Sequence, residues 1–476
     1  MASATTPNAH NLAALGSERL AELLLEMTAG NAAAKRRLRL ELASHNGGDV
    51  TGEIRKRLVS IARSRSYVDW RKAKELGQDL DTQREAIVTH VAPANPAEAF
   101  DLLWRLLEMA PSIYERCDDS NGMIGSIIAT ARDDLGDVAD RAGQPTDALV
   151  DRVFAAVCAN DYGQFDGLIG TTAPALGSDG LTRLKVKFEQ MSSTTPRAAE
   201  GGKRQAIGLS TNRSIHTDDY ERSHQERFVR SALVEIADAL GDVDGFVERY
   251  SDEERTNPMI AAAIAERMLA VGRADEALAA LDQADETYRR GGYWPNWQRV
   301  RIDVLDALGR SDDAQSERWQ AFERGLDAGY LRAYLKRLPD FDDIDAEERA
   351  IRFASDYPGF HQALAFLIDW PALDRAARMI IARTDELDGD HYGLLTPAAD
   401  ALEQRYPLAA TLVLRAMIDL SLDAAKYKRY GHAARHLRTC EHLAGRIEDF
   451  AGHLNHADYI ADLKQRHGRK SGFWDA

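Results

Sequence analysis

Apolar side chains recur along most of this chain at the three- and four-residue spacing of amphipathic helices. One pair of stripes, separated by a glycine turn, consists of Ile260, Ile264 and Met268, then Ala277, Leu281, Ala284 and Tyr288. The next pair consists of Trp297, Val300, Val304 and Leu308, then Trp319, Phe322 and Leu326. Sustained apolar-polar alternation between hairpin turns is missing from the sequence. The pattern therefore predicts an all-α protein.

A ten-residue cassette joins the two helices of each pair and occurs at 268–277 and again at 305–314. In both copies an apolar helical segment runs into Gly-Arg-x-Asp, and a new helical segment starts at once. Glycine readily adopts the left-handed conformation that ends a helix, and the Asp is placed to cap free amides of the next one. Gly272 and Gly309 are 37 residues apart (309 − 272), near the 34-residue period of tetratricopeptide repeats.

Weaker glycine elbows occur at 143–148, 241–244 and 430–434. Together with the two strong copies they predict an irregular α-solenoid of helical hairpins, tetratricopeptide-like in the C-terminal half. An ordinary helical bundle with glycine elbows is the alternative.

Polar stretches divide the chain. Residues 1–10 are small and polar, which predicts a flexible tail, and 192–219 has almost no apolar periodicity. We therefore expect an N-terminal helical domain at 11–190, a linker or mobile loop at 191–220, and a C-terminal helical-repeat domain at 221–476.

Composition places the protein in a general class. A chain of 476 residues, 44% of them hydrophobic, can bury a large core but is too long for one compact domain. Its start lacks the order of a signal peptide, and no apolar run approaches the ~18–20 residues that span a bilayer. Three widely separated cysteines fit a reducing compartment. We expect a cytoplasmic protein without membrane contact.

Charge is distributed unevenly along the chain. The net charge of −16 argues against a general affinity for nucleic acid. Residues 35–74 nevertheless contain 12 Lys/Arg against 4 Asp/Glu, a balance of +8, whereas 340–403 contain 15 acidic against 5 basic residues, a balance of −10. Two solvated helix faces would explain this pattern, and so would a basic patch that meets a phosphate-bearing or acidic partner.

Histidines near the end of the chain provide candidate metal ligands. His432, His436 and Cys440 lie at i, i+4 and i+8, within about 80° of arc on one helix face. These side chains would suit a transition metal. The alternative interpretation is a histidine face that is packed or solvated and binds no metal. The metalloprotease pattern requires glutamate directly after the first histidine, where this chain has Ala433. Further ligands would come from His442, His453 or His456.

Other chemical motifs are missing from the sequence. We find no Walker loop, no Gly-x-Ser-x-Gly elbow, no Cys-x-x-Cys pair and no Rossmann fingerprint. We therefore expect no cofactor, and the missing motifs favour a non-enzymatic protein, with a metal-dependent enzyme as the alternative. The densest aromatic cluster, at 293–297, contains Trp294 and Trp297, and it indicates either helix packing or an exposed binding edge.

Three segments resemble a known family. Residues 55–70 (Arg-Lys-Arg-Leu-Val-Ser-Ile-Ala-Arg-Ser-Arg-Ser-Tyr-Val-Asp-Trp), the turn at 115–122 and the closing segment 406–470 are similar to an uncharacterised bacterial helical family, a domain of unknown function. The resemblance implies no activity. The closing segment, with its Tyr-Gly-His-Ala-Ala-Arg-His-Leu stretch and basic end, also resembles the helical tail of SWIM-type zinc-finger proteins, although their Cys-x-Cys and Cys-x-His zinc module is missing here.

These observations lead to three functional hypotheses. The first is a non-enzymatic helical-repeat scaffold or adaptor that binds a protein or peptide in the groove of its C-terminal half. The second is a nucleic-acid-associated accessory protein that uses the basic 35–74 segment. The third is a metal-dependent enzyme centred on His432, His436 and Cys440. Candidate interaction residues are Arg55, Arg57, Arg63, Arg65 and Trp294.

Overall fold

A computed structural model describes residues 6–45, 47–193, 206–210, 213–284, 291–292 and 294–476. The all-α prediction is confirmed for this part of the chain, which is helical apart from one short hairpin. The hairpin pairs the antiparallel strands Ala206–Ser210 and Arg213–His216. It lies inside the predicted linker, of which 194–205 and 211–212 fall outside the described residues.

Two compact units make up the chain, Met1–Asp252 and Glu253–Ala476. The helices of the first unit are Ala9–Ala13, Ser17–Met27, Ala32–His45, Val50–Arg63, Trp70–Ala86 with a π-helical extension at Ile87–Val91, Pro96–Glu108, Ala110–Tyr114, Met123–Ala139, Thr146–Cys158, Leu168–Ser193, Thr217–Leu240 and Val243–Val247. Leu168–Ser193 is interrupted at Gly177, whose backbone is not helical.

The second unit continues as short helices after a boundary turn at Asp252–Arg255. They are Pro258–Ala270, Ala274–Asp282, Pro295–Ala307, Ser311–Gly325, Ala328–Leu335, Asp342–Ser355, Phe360–Asp369, Leu373–Ala382, Tyr392–Leu402, Pro407–Asp423, Tyr430–Ala444, His456–His467 and Ser471–Trp474, with 3-10 turns at Thr384–Glu386 and Tyr427–Arg429. Each packs mainly on the next one or two helices along the sequence. This order of contacts is that of an irregular array of helical hairpins.

Each unit has its own apolar core. In the first unit Phe100 and Trp104 are fully buried, with ring centroids 5.4 Å apart. In the second, Phe322 is fully buried with its ring 5.5 Å from that of Phe366. Full burial of such a side chain stabilises the fold by about 1.5–3 kcal/mol, so these aromatic pairs anchor their helices.

The division between the units differs from the predicted one at 191–220. The helix Thr217–Leu240 packs on Leu168–Ser193, and its Val229 and Ile236 are buried in the core of the first unit. Burial of this apolar face outweighs the polar composition of the preceding stretch, so the boundary lies after Asp252. The end of the predicted tail also differs, because Asn8 caps a short helix at Ala9–Ala13, whereas residues 1–5 lie outside the described ranges.

The two cassettes form nearly identical elbows. Gly272 and Gly309 have φ angles of +78° and +69°, the left-handed region that glycine adopts without steric cost. The amide of Arg273 donates to the carbonyl of Met268, and the amide of Arg310 to that of Leu305, each at 2.9 Å. These hydrogen bonds satisfy carbonyl groups at the end of the preceding helix.

One detail of the predicted elbows is wrong. The residue at each N-cap is the arginine, without a side-chain cap, and the acidic residues lie in the first helical turn. There Arg273 pairs with Glu276 at 2.6 Å and Arg310 with Asp313 at 2.6 Å. The prediction of a weak elbow at 430–434 is also wrong, because the glycine of this segment lies inside the helix Tyr430–Ala444.

Candidate functional site

A cavity of the second unit, here called the Arg415 cavity, has a volume of about 500 Å³. Its walls are the helices Pro407–Asp423 and His456–His467, together with the segment 384–389. Asn455 caps the second helix by accepting a hydrogen bond from the amide of Asp458 at 3.0 Å. The polar lining residues are Thr384, Asp388, Arg415, Asp419, Asp423, His453, Tyr459, Asp462 and Arg466.

Helical periodicity places these side chains on common faces. Arg415, Asp419 and Asp423 follow one another at four-residue intervals on the first helix, and Tyr459 and Asp462 are three residues apart on the second. Residues three or four apart lie one above the other on a helix. The cavity is therefore built on regular secondary structure, which holds its side chains more firmly than a loop would.

Arg415 is the most unusual residue of this cavity. It is only 5% exposed, and none of the described carboxylates lies within ion-pair distance of it. Its Nη1 donates to the carbonyl of Leu454 at 2.6 Å, and the guanidinium lies 4.2 Å from the ring centroid of Tyr459. Burial lowers the pKa of Arg415, because a charged group loses hydration in the protein interior.

Arg466, unlike Arg415, is surrounded by carboxylates. Its guanidinium pairs with three carboxylates, those of Asp462 at 2.6 Å, Asp419 at 3.0 Å and Asp423 at 3.3 Å. Burial raises the pKa of Asp419, and the hydrogen bond from Arg466 opposes that shift. The cavity thus has an acidic wall and a separate buried cation.

Buried polar atoms without a hydrogen-bond partner concentrate beside this cavity. Within the described part of the chain they include Nε and Nη2 of Arg415, the hydroxyl of Thr411 and both ring nitrogens of His456. Burial raises the pKa of Tyr459 and lowers that of His456. Most buried polar groups in native proteins are hydrogen-bonded, so this concentration marks a site whose polar groups are incompletely satisfied.

The predicted metal ligands do not converge. His432 and His436 line a neighbouring cavity of about 280 Å³, whereas Cys440 is fully buried and donates to the carbonyl of Thr411 at 3.9 Å. Burial raises the pKa of Cys440 to about 12 and, together with the charge of His432, lowers the pKa of His436. The 80° arc crosses the boundary between the buried and exposed sides of the helix. Within the described ranges, no three His, Cys, Asp or Glu side chains are grouped so as to hold a metal ion.

Two of the predicted interaction arginines are engaged in ion pairs. Arg55 pairs with Glu98, and Arg57 donates through Nε to the buried carboxylate of Asp79 at 2.8 Å. Their charges are therefore largely compensated within the first unit.

The remaining interaction candidates lie at the surface or at a helix start. Arg63 and Arg65 are exposed and form no ion pair with any carboxylate that the structure describes. Trp294 is half-buried at the N-cap of Pro295–Ala307. Its neighbour Trp297 is buried and donates to the carbonyl of Leu281 at 3.3 Å.

Sequence reasoning missed Arg415, Tyr459 and Asp419. One signal was present, because Arg415 is the only charged residue in the mainly apolar run 408–418, and a charged residue in such a run is seldom fully buried without a partner. The two helices of the cavity are separated by more than thirty residues, so their approach was not readable from the pattern.

Comparisons with known proteins identify the family. A search of curated proteins found no match to this chain. Among solved structures, the chain is similar to a circular tandem repeat protein with novel repeat topology and enhanced subunit contact surfaces, at 14% identity over 96% of this chain and 94% of that chain, with a TM-score of 0.15. So low a TM-score supports no structural argument. A family model covers residues 2–476, which confirms the predicted resemblance, whereas the likeness to SWIM-type tails stays a prediction. The chain belongs to DUF6880, a family of unknown function.

Proposed function

We propose that this protein is a non-enzymatic helical scaffold that binds an extended peptide segment of a partner protein in the Arg415 cavity. The observation that carries the proposal is a 500 Å³ cavity with an acidic wall and a buried guanidinium that forms no ion pair with a described carboxylate. Arrays of helical hairpins commonly bind peptides on such surfaces.

Peptide backbone matches this combination of groups. An extended chain presents carbonyl acceptors and amide donors side by side. A ligand carbonyl would replace that of Leu454, which lies in a half-exposed residue and now accepts from Arg415. Ligand amides or a basic side chain would meet Asp388, whose side chain is 52% exposed at the edge of the cavity.

Charge favours a basic peptide over an acidic one. Four Asp and two Arg side chains line the cavity, and the segment 340–403, which contributes part of its lining, has a balance of −10. Complementary charge increases the association rate and selects among partners. We therefore expect bound sequences to contain Lys or Arg near the residue that contacts Asp388.

Selection from a displayed random-peptide library on the full-length chain tests this proposal. An enriched peptide is then titrated by fluorescence anisotropy against the wild type, Asp388→Asn and Asp345→Asn. Both variants remove one negative charge from the second unit, but Asp345 is exposed and does not line the cavity. We expect Asp388→Asn to weaken binding about two- to fivefold, the effect of one exposed ion pair, and Asp345→Asn to leave it unchanged. Equal effects, or selection of no peptide, would contradict the proposal.

The nucleic-acid alternative depends on the basic 35–74 segment. Arg63 and Arg65 favour it, because both are exposed and neither forms an ion pair with a carboxylate in the described ranges. Arg55 and Arg57 do not, since each is paired with a carboxylate. Binding of a labelled oligonucleotide that weakens steeply with salt, and is lost in an Arg63→Gln/Arg65→Gln variant, would support this function.

We also propose that the protein acts in the cytoplasm. Its three cysteines, Cys117, Cys158 and Cys440, are all free thiols, as expected in a reducing compartment. Fluorescence of the tagged full-length chain in its native cells tests the location. In the part of the chain that the structure describes, no helix is long and apolar enough to cross a membrane.

A further inference from the structure

A basic cavity lies in the first unit, far along the sequence from the Arg415 cavity. Its volume is about 220 Å³. The helices Ala32–His45, Val50–Arg63 and Trp70–Ala86 supply its walls. The lining residues are Arg36, Arg39, Leu40, Glu53, Lys56, Arg57, Ser60 and Gln83.

A single buried carboxylate orients the two innermost arginines. Asp79 is 3% exposed, and its Oδ2 accepts from Arg36 Nη2 at 2.9 Å and from Arg57 Nε at 2.8 Å. Gln83, 1% exposed, donates to Oδ1 of the same carboxylate at 3.3 Å. One negative charge thus fixes two guanidinium groups in place and leaves one positive charge in excess.

Two further cations stand at the rim. Arg39 is exposed and has no ion-pair partner among the described residues, while Lys56 Nζ lies 2.9 Å from Glu53 Oε1. Four cations therefore face two carboxylates, those of Glu53 and the underlying Asp79, which leaves an excess of two positive charges. Ser60 adds a hydroxyl donor beside Arg57 Nη1, at 3.4 Å.

We propose that this cavity binds the phosphoryl dianion of a small phosphorylated ligand. Guanidinium groups match phosphate oxygens with paired N–H donors, and groups held in place beforehand lose less entropy on binding. A charge of two on a phosphate monoester at neutral pH balances the excess in the cavity. The volume is below the roughly 300–1,000 Å³ of sites for drug-sized ligands, so the phosphoryl group and a few further atoms would occupy it.

Nucleic acid fits the same cations less well. Binding along a phosphate backbone requires a row of accessible cations, but Arg55 and Arg37 are paired with Glu98 and Glu85 outside the cavity. The exposed Arg65 does not line it. The lining cations surround one small cavity of about 220 Å³, a size that suits a single phosphoryl group.

Calorimetric titration of the full-length chain with inorganic phosphate and with glycerol phosphate tests the proposal, at constant ionic strength. The variant Arg39→Gln removes a rim cation that forms no ion pair with a described residue, and Arg65→Gln removes an exposed cation outside the cavity. Both change the net charge equally. We expect Arg39→Gln to weaken phosphate binding roughly tenfold, as for one charge-assisted hydrogen bond, and Arg65→Gln to weaken it less than about twofold.

Three results would overturn the proposal. These are no heat of binding with millimolar phosphate, equal losses of affinity in the two variants, and binding of acetate as tight as that of phosphate. A single-stranded oligonucleotide serves as a further probe. If it binds more tightly than glycerol phosphate and loses affinity equally in both variants, the surface is a nucleic-acid interface and the small-ligand assignment is wrong. Unchanged circular dichroism and urea midpoints for both variants ensure that a loss of affinity reports on the site.

Discussion

Replacement of Arg415 by methionine should make the protein more stable. Arg415 is 5% exposed, has no acidic partner among the described residues, and leaves Nε and Nη2 without acceptors. Methionine has a long flexible apolar side chain that can fill the same space. Replacing a buried ion by an apolar side chain of similar size is often neutral or stabilising.

The expected magnitude follows from the contacts of the guanidinium. Removing two unsatisfied buried nitrogens relieves about 1–3 kcal/mol each. The variant loses the hydrogen bond to the carbonyl of Leu454, about 1.5–3 kcal/mol, and the cation–π contact with Tyr459, about 1–2 kcal/mol. Relief of the charge desolvation that lowers the pKa of Arg415 adds to the gain. We therefore expect the free energy of unfolding to rise by about 1–2 kcal/mol.

Urea unfolding followed by circular dichroism measures this change. If the two units unfold in separate steps, only the transition of the second unit should move, with an unchanged m-value. Arg438→Met is the matched control, because Arg438 is exposed on the neighbouring helix Tyr430–Ala444. Its effect should stay within about 0.5 kcal/mol.

A destabilisation of Arg415→Met by about 2 kcal/mol or more would refute this reasoning, because that is the cost of breaking a satisfied buried network. A more stable variant that no longer binds the selected peptide would support the proposed function. Binding sites commonly keep groups that reduce stability.

Three other predictions follow from the local structure. Gly272→Ala should lower the free energy of unfolding by about 1–2 kcal/mol, because alanine is strained at a φ of +78°. Gly393 lies inside a helix with open space for a Cβ, so Gly393→Ala should be neutral or stabilising in the same urea assay. Iodoacetamide labelling with mass spectrometry should modify the exposed Cys158 in the native protein and Cys440 only after urea unfolding, since its thiol is fully buried; native labelling of Cys440 would contradict its placement. Asp419 has a raised pKa in the folded state, so its ionisation opposes folding. The free energy of unfolding should therefore fall as pH rises from about 3.9 through that raised pKa. In thermal melts Asp419→Asn should lack this decline, and a decline of equal size in the variant would show that other groups cause it.

The sequence predicted the helices and the two strong elbows, because both depend on interactions between residues that are close along the chain. The stripes around Gly272 and Gly309 follow the helical period, and a glycine after each stripe permits the left-handed turn. The capping role expected of the Asp residues was wrong, because an arginine occupies each N-cap and the acidic residues lie in the first helical turn.

Tertiary packing decided the domain boundary and the candidate sites. Polar composition at 191–220 suggested a break, but the apolar face of Thr217–Leu240 is buried in the first unit. His432 and Cys440 share a helical arc in sequence, yet one is exposed and the other fully buried. Which part of an arc faces the core depends on the neighbouring helix, and helical periodicity alone does not specify that neighbour.

The sequence by itself determined the class of the protein: helical hairpins joined by glycine elbows, an uneven charge distribution and membership of an uncharacterised family. Only the tertiary structure brought Arg415 beside Tyr459 and placed Arg36 and Arg57 on either side of Asp79. Secondary structure depends on interactions within a few residues, whereas a binding site depends on distant segments whose approach is set by the packing of whole helices.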